Sequence, residues 1–342
     1  MNSFSTNMQM LDELVNIIPA IPQSLKETHR TYNHRVLNKV TVQNEISKFN
    51  FPVQLLERSS QLSKHYDDIA GEINRNGVSE DLINDILQTD LAVEDELEDE
   101  LNLYTKQSGL SVKALYNHKI GHYQNAFDLT VECINVNDTL INKGVCTAIL
   151  RNVEQNVNLS RIYYSKNEID KSYQAWKGIL DYLVNGTVNN IVGSAFKNHA
   201  VWEEIKYLRE PCILEWFDLF LYYVLKNGEK SIEDEKKIFY SVLLDLEINI
   251  STFERSAIKD FINIKQYYFE NQTELFVEDF VIFNEFYNNK EFDTLKLSLC
   301  QSLLNLIESN NYGSKNGLKI VINDFIKEKL ILKQYLKDMV CN

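Results

Sequence analysis

Apolar residues recur at intervals of three and four along much of the chain, which is the pattern of helices that bury one face. One such stripe runs from Phe239 to Leu246, and another runs from Ile258 to Phe269. The second stripe contains one polar gap, Lys265. Strict alternation of apolar and polar residues over the length of a strand is hard to find. These patterns predict amphipathic helices and almost no sheet.

The prolines support the same prediction. All four stand at positions 19, 22, 52 and 211, so residues 53–210 and 212–342 contain nothing that is barred from a helix interior. The most apolar run, Cys212–Leu225, is interrupted by Glu215 and Asp218 and is shorter than the roughly 20 residues that a bilayer requires. We predict a buried helix there, with its aromatic residues in the core. These are Trp216, Phe217, Phe220, Tyr222 and Tyr223.

Local signals predict where helices begin and end. Asn-Gly and Ser-Gly pairs at 76/77, 108/109, 185/186 and 227/228 are typical helix stops, because glycine adopts the left-handed conformation that closes a helix. Ser251 followed by Glu254 predicts a capping box at a helix start.

Residues 90–100 form the most acidic stretch of the chain, with seven acidic residues and no basic one. Divalent-ion loops need turn-forming residues between their ligands, so a solvated helix face is the better interpretation. The change in composition places a domain boundary near 100–110. We therefore predict an α-helical N-terminal region, 1–110, and a second domain, 111–342.

The stretch Asn158–Leu180 resembles a tetratricopeptide repeat, a 34-residue unit of two antiparallel helices. Leu159, Ser160 and Tyr163 match the first helix of the family. The second helix is matched by core positions at Ile169, Ser172, Trp176 and Ile179. Asn167 stands where the family's turn usually has glycine. This resemblance implies an irregular tetratricopeptide-like superhelix in 111–342, and an all-α bundle with similar hairpins is the alternative.

Two further copies are weaker. One contains Gly121, Tyr123 and Ala126 at the turn and crossing, with Cys133 at a later small position. The other keeps only hydrophobicity, at Phe283, Phe286, Phe292 and Leu295. Equivalent residues of the three copies (Tyr123, Ile169 and Phe292) are separated by 46 and 123 residues, which are not multiples of 34. We therefore expect extra helices between the copies.

The stretch Glu278–Leu330 is also loosely similar to the C-terminal region of Rgg-type and other peptide-sensing regulators of low-GC bacteria. Such regulators begin with a basic helix-turn-helix. The best local candidate is Ile69–Leu87, with a turn at residues 77–79. Its second helix, residues 80–87, contains three acidic residues and no Lys or Arg. A helix that repels phosphates reads DNA poorly.

Charge and cysteine content narrow the environment and the partners. The chain has 35 Lys and Arg against 49 Asp and Glu, a net charge of −14, which disfavours nucleic acid and anionic membranes. Five widely spaced cysteines without a C-x-x-C pair indicate reduced thiols. Residues 1–9 lack the features of a signal peptide, so we expect a cytoplasmic protein.

Motifs of catalysis and cofactor binding are missing from the sequence, including H-E-x-x-H, G-x-G-x-x-G, the P-loop and G-x-S-x-G. Three pairs of residues are candidate sites: His118 with His122, His199 with Glu203, and Arg30 with His34. Each is better interpreted as structural or surface residues. We therefore assign no catalytic, cofactor-binding or metal-binding residue and no cofactor, and the partner-binding residues stay unknown.

These observations favour a non-enzymatic helical-repeat scaffold or adaptor that binds a protein or peptide, with a basic partner expected from the charge. One alternative is a peptide-responsive transcriptional regulator, which could be a homodimer and would contact nucleic acid only through residues 1–110. A second alternative is an all-α enzyme with an unrecognised site.

Overall fold

A computed structural model describes residues 11–26, 42, 44–226, 232–243, 246, 248, 252–309 and 315–341. The described residues contain no β-strand, and one isolated bridge pairs Leu25 with Asn289. The all-α prediction is therefore confirmed. The α-helices are α1 (Val53–Asn76), α2 (Glu80–Glu96), α3 (Asp99–Lys119), α4 (Tyr123–Asn142), α5 (Ala148–Ser165), α6 (Ile169–Asn185), α7 (His199–Glu204), α8 (Lys206–Lys226), α9 (Ile232–Leu243), α10 (Phe253–Phe269), α11 (Thr273–Phe286), α12 (Asp293–Ser309), α13 (Lys315–Glu328) and α14 (Gln334–Cys341).

The chain divides into two compact units. We call Tyr32–Arg209 the middle unit, and Met1–Thr31 together with Glu210–Asn342 the terminal unit. The domain boundary predicted near 100–110 falls in the first half of α3, within the middle unit. As a statement about separately folding parts, that boundary stays a prediction.

Helices that follow one another pack together in the middle unit. Helix α1 contacts both α2 and α3, and the series continues as α3 with α4, α4 with α5 and α5 with α6. The stretch Asn158–Leu180, which resembles a tetratricopeptide repeat in sequence, forms a helix–turn–helix from α5 and α6. Its residues Ser160, Ser172 and Trp176 are all buried. Ala126 and Cys133 of the second copy are buried as well.

One type of turn recurs between these helices. After α3, the N–H of His122 donates to the carbonyl of Asn117 (2.9 Å), and the N–H of Gly121 donates to that of His118 (3.2 Å). This is a Schellman motif, in which a left-handed residue closes the helix. Helices α4, α5 and α10 end in the same way. The left-handed residues are Gly121 (φ +83°), Gly144 (φ +97°), Asn167 (φ +62°) and Asn271 (φ +57°).

The first three of these turns lie 23 residues apart, at positions 121, 144 and 167. Tyr123 and Ile169 each begin the second helix of a hairpin, as the sequence predicts. The expectation of extra helices between copies is wrong for this first interval. The 46-residue interval is filled by α4 and α5 alone, because these helices are 20 and 18 residues long.

The third copy needs a correction. Its predicted turn, between Phe283 and Phe292, contains a 3₁₀ segment, Lys290–Phe292, and no Schellman motif. The backbone of Leu25 pairs with this connection, since its N–H donates to the Asn288 carbonyl (2.7 Å) and its carbonyl accepts from the Lys290 N–H (3.1 Å). The turn equivalent to the first two copies lies earlier, around Asn271.

The predicted helix ends are correct at Gly77 and Gly186, which both have positive φ and follow α1 and α6. The end predicted at 108/109 is wrong, because Gly109 lies inside α3. A Cβ atom on Gly109 would lie 2.8 Å from Tyr66 and 2.9 Å from Asp90, so the glycine permits close helix packing. The pair at 227/228 and Ser251 lie outside the described residues, and the cap of α10 is Thr252, whose Oγ1 accepts from the N–H of Arg255.

The terminal unit places α12 among several helices, with contacts to α10, α11, α13 and α14. Residues 212–225 lie in α8, and Trp216, Phe217, Phe220 and Tyr223 are buried, as predicted. Tyr222 is half-buried and its ring lies 6.0 Å from that of Tyr335. None of the described helices combines the length and the apolar character of a membrane span.

Candidate functional site

Helix α2 presents a narrow apolar stripe to solvent. Leu87 and Leu91, one turn apart, are 50% and 53% exposed. The exposed polar residues Glu80, Asn84 and Glu94 continue the same row along the helix on either side of the two leucines. Intervals of four, three, four and three residues keep all five on one side of a helix, as at the seam of a coiled coil. We call these five residues the α2 seam.

The opposite side of α2 is packed against neighbouring helices. Ile86, Thr89 and Val93 are buried on that side, and α2 packs on α1 and α3. The Ser79 hydroxyl caps the helix by accepting from the N–H of Leu82 (3.4 Å). The seam is therefore displayed by a helix that is held along its length.

Asp90 is the main polar anchor of α2. Its carboxylate accepts from the Tyr66 hydroxyl (2.6 Å) and from Lys113 Nζ (2.8 Å). Burial, and then the hydrogen bond to Asp90, raise the pKa of Tyr66, so the phenol stays protonated and keeps donating. Gly109 leaves the room that these two side chains occupy. These contacts fix the position of α2 relative to α1 and α3.

The charge of α2 is one-sided, since it contains seven acidic residues and no basic one. Lys113 pairs with Asp90, and Arg58 Nε lies 2.6 Å from Glu96. The hydrogen bond from Arg58 lowers the pKa of Glu96. Within the described chain, no Lys, Arg or His forms an ion pair with the remaining acidic residues of α2, which are Glu80, Asp81, Asp85, Glu94 and Asp95.

An apolar pair between carboxylates fits an amphipathic helix that carries basic residues beside its own apolar stripe. The same carboxylates repel phosphate groups and anionic lipids. The acidic run is evident in the sequence, but the exposure of Leu87 and Leu91 is not. The available signal is that both leucines lie off the stripe of Ile86, Thr89 and Val93 that buries α2.

The candidate histidines lie in different parts of the chain. His118 Nε2 lies 2.9 Å from the hydroxyl of Ser165, and His122 lies in the turn before α4, where the sequence places it. His199 and Glu203 lie 3.8 Å apart on the exposed side of α7, and the His199 ring stacks on Trp202. Arg30 and His34 lie outside the described residues. Across the described parts of the chain, no group of three His, Cys, Asp or Glu side chains is arranged to hold a metal ion.

Two buried lysines of the terminal unit were not predicted as polar centres. Lys265 Nζ donates to Glu235 Oε1 (2.5 Å) and to Ser302 Oγ (2.6 Å), with the Phe239 ring 4.8 Å away. Burial lowers its pKa, although the charge of Glu235 acts in the other direction. The polar gap in the apolar stripe of α10 was the signal for this residue.

The second buried lysine, Lys296, lies 3.3 Å from Asp293 and donates to Ser24 (3.0 Å). Ser24 donates in turn to Asp293 (2.5 Å), whose other oxygen accepts from the N–H of Ile331 (2.6 Å). Burial raises the pKa of Asp293 and lowers that of Lys296. All three side chains are closed to solvent. They attach the segment around Ser24 to the start of α12.

No protein-family model matches the chain, and no curated protein and no solved structure is similar enough to count as a match.

Proposed function

We propose that this protein is a non-enzymatic helical-repeat scaffold that binds a basic, amphipathic helical segment of a partner protein through the α2 seam. The proposal is carried by the exposed pair Leu87 and Leu91 on a firmly packed helix. The pair lies between Glu80 and Glu94, neither of which forms an ion pair with a Lys, Arg or His of the described residues. Two apolar side chains one turn apart are the usual anchors of a helix that docks on another helix. The surrounding negative charge selects a basic partner and speeds its encounter.

The repeated hairpins support a tetratricopeptide-like architecture for α3–α6. Equivalent Schellman turns at 121 and 167 make each unit 46 residues long. That is longer than the family's 34 residues, so the proposed likeness concerns the hairpin and its turn and not the repeat length. Stacked hairpins give the extended surfaces that binding scaffolds use.

A cytoplasmic location is part of this proposal. Free thiols, which suit a reducing compartment, are found at Cys133, Cys146, Cys300 and Cys341. Cys133 and Cys300 are buried, and burial raises the pKa of Cys133 to about 11, so this thiol is unreactive at neutral pH.

The peptide-responsive regulator is a second candidate, because one observation favours it. Helix α1 ends at Asn76 and α2 begins at Glu80, so the helix-turn-helix candidate has its turn at residues 77–79, where the sequence predicts it. Its second helix, however, would bring the acidic residues of α2 to the DNA. Duplex binding by the full-length chain, specific in sequence and tighter than about micromolar at physiological salt, would favour this second candidate.

A synthetic peptide tests the proposal. The probe is a Lys-rich helical peptide with leucines on one face, and its control has the same composition in an order that destroys the stripe. We expect the full-length chain to bind the probe more tightly than the control, with an association rate that falls as salt rises, because screening acts beyond about 8–10 Å. Fluorescence anisotropy and stopped-flow mixing measure both quantities.

A matched pair of variants locates the site. Leu87→Ser with Leu91→Ser should weaken probe binding by about tenfold or more, equivalent to about 1.4 kcal/mol. Ile320→Ser changes another exposed apolar residue, on α13, and should leave binding unchanged. Equal affinity for probe and control peptide, or no effect of the double variant, would refute the α2 seam as the binding site.

A further inference from the structure

Helix α11, in the terminal unit, carries a second outward apolar stripe. Leu275, Ile282 and Phe286 are 44%, 60% and 63% exposed. Asp279 completes the stripe, because intervals of four, three and four residues keep positions 275, 279, 282 and 286 on one side of the helix. The opposite side is buried through Phe276, Val277, Phe280 and Phe283. We call the four outward residues the α11 seam.

This helix also lacks basic residues and contains four acidic ones. Glu278 and Glu285 stand immediately before Asp279 and Phe286, so they border the seam along one edge. No ion pair joins Glu274, Glu278, Asp279 or Glu285 to a Lys, Arg or His of the described residues. The seam is therefore apolar with a negative edge.

Asp279 is a half-buried carboxylate that lies between the apolar residues of its seam. The α2 seam has no such residue, because its two carboxylates lie at the ends and are exposed. Partial burial, followed by the charges of Asp260 and Glu278, raises its pKa. Asp260 itself accepts a hydrogen bond from the Tyr287 hydroxyl (2.6 Å). A cation placed opposite Asp279 would relieve the like-charge repulsion at this point of the seam.

The charges decide between possible occupants. A second copy docked face to face would bring Glu278, Asp279 and Glu285 against the same carboxylates, which is repulsive. An anionic membrane is disfavoured for the same reason, since helices that lie on such membranes are rich in Lys and Arg. A basic helix of another protein satisfies both the apolar residues and the acidic edge.

We propose that the α11 seam is a second docking surface, which binds a helix of a partner protein that presents three apolar side chains and, in line with them, a Lys or Arg to Asp279. The α11 seam belongs to a different unit from the α2 seam, and this inference does not depend on the function proposed for α2. The in-line cation makes its specificity different from that of the α2 seam.

Two synthetic helical peptides test this. Both carry leucines in a heptad stripe; one has Lys at the central stripe position and the other has Glu there. Binding is measured with the full-length chain in the Leu87→Ser/Leu91→Ser background, so that the α2 seam does not contribute. We expect the Lys peptide to bind at least about tenfold more tightly than the Glu peptide. Ile282→Ser should weaken binding by a similar factor.

Asp279→Lys is the decisive variant, because it should reverse the preference so that the Glu peptide binds more tightly. Ile282→Ser and Asp279→Lys both change outward side chains, so both chains should keep the parental thermal unfolding temperature. Loss of discrimination between the peptides, or a preference that Asp279→Lys does not reverse, would overturn the α11 proposal. A peptide that binds the parent chain but not the Leu87→Ser/Leu91→Ser chain would overturn it too, while leaving the α2 proposal in place.

Discussion

The ammonium of Lys265 lies 2.5 Å from the carboxylate of Glu235, at the contact between α10 and α9. Lys265 is only 1% exposed and is also held by Ser302. Burying such a pair costs desolvation energy for both charged groups. The free energy of unfolding therefore falls most when only one partner is removed and the other charge stays buried.

Lys265→Met should therefore lower the free energy of unfolding by about 3–5 kcal/mol, because it leaves Glu235 without its cation. Adding Glu235→Leu to that variant should recover a large part of the loss. Urea unfolding of the two single variants and the double variant gives the coupling energy. A double variant that is less stable than either single one would contradict this account.

The same residue should make stability depend on pH. Burial lowers the pKa of Lys265 in the folded chain below its ordinary value of 10.5. At a pH between the folded pKa and the ordinary pKa, the unfolded chain therefore holds more protons than the folded chain. The free energy of unfolding then rises with pH in that window. Lys265→Met should lack this rise when both chains are unfolded in urea between about pH 7 and pH 9.5, below the titration of the tyrosines. Identical pH slopes would refute the prediction.

Trp176 is fully buried in α6. Trp176→Ala should reduce the free energy of unfolding by about 3–5 kcal/mol, because it removes a large side chain from a closed core. Leu87→Ala, at a half-exposed position of the same unit, should change stability by no more than about 0.5 kcal/mol. Thermal unfolding of both variants separates a packed hairpin from a loosely placed one.

Gly109 and Gly317 are a matched pair of helical glycines with opposite surroundings. Gly109→Ala should destabilise the fold by about 1–3 kcal/mol, since its new methyl group would press on Tyr66 and Asp90. Nothing lies within 4 Å of a Cβ atom on Gly317, so Gly317→Ala should stabilise by about 0.5–1 kcal/mol through helix propensity. Equal effects of the two changes on the melting temperature would show that the close packing at Gly109 is wrong.

Asn167 and Gly121 occupy equivalent positions in two turns of the same type, and both have positive φ. Asn167→Gly should raise stability by up to about 1 kcal/mol, because glycine adopts this conformation without a steric penalty. Gly121→Ala should lower it by about 1–2 kcal/mol, although the site has open space around the new methyl group. Denaturant unfolding of both variants checks the sign of each change.

The sequence by itself determined the class of the fold and several of its details. The three- and four-residue periodicity and the scarcity of proline require helices, because these features act within a few turns of chain. The hairpins whose second helices begin at Tyr123 and Ile169 were predicted correctly for the same reason, since a left-handed residue and small crossing residues are local signals.

The tertiary structure decided what local signals could not. Ser108 and Gly109 have the composition of a helix stop, yet α3 continues through them. The glycine instead leaves room for Tyr66 and Asp90, which are distant in sequence. Leu87 and Leu91 became a candidate surface only when α1 and α3 were seen to cover the other side of α2. Lys265 was a gap in a pattern until Glu235 was placed beside it. Burial and partnership depend on which helices meet, and that follows from packing across the whole chain rather than from the order of neighbouring residues.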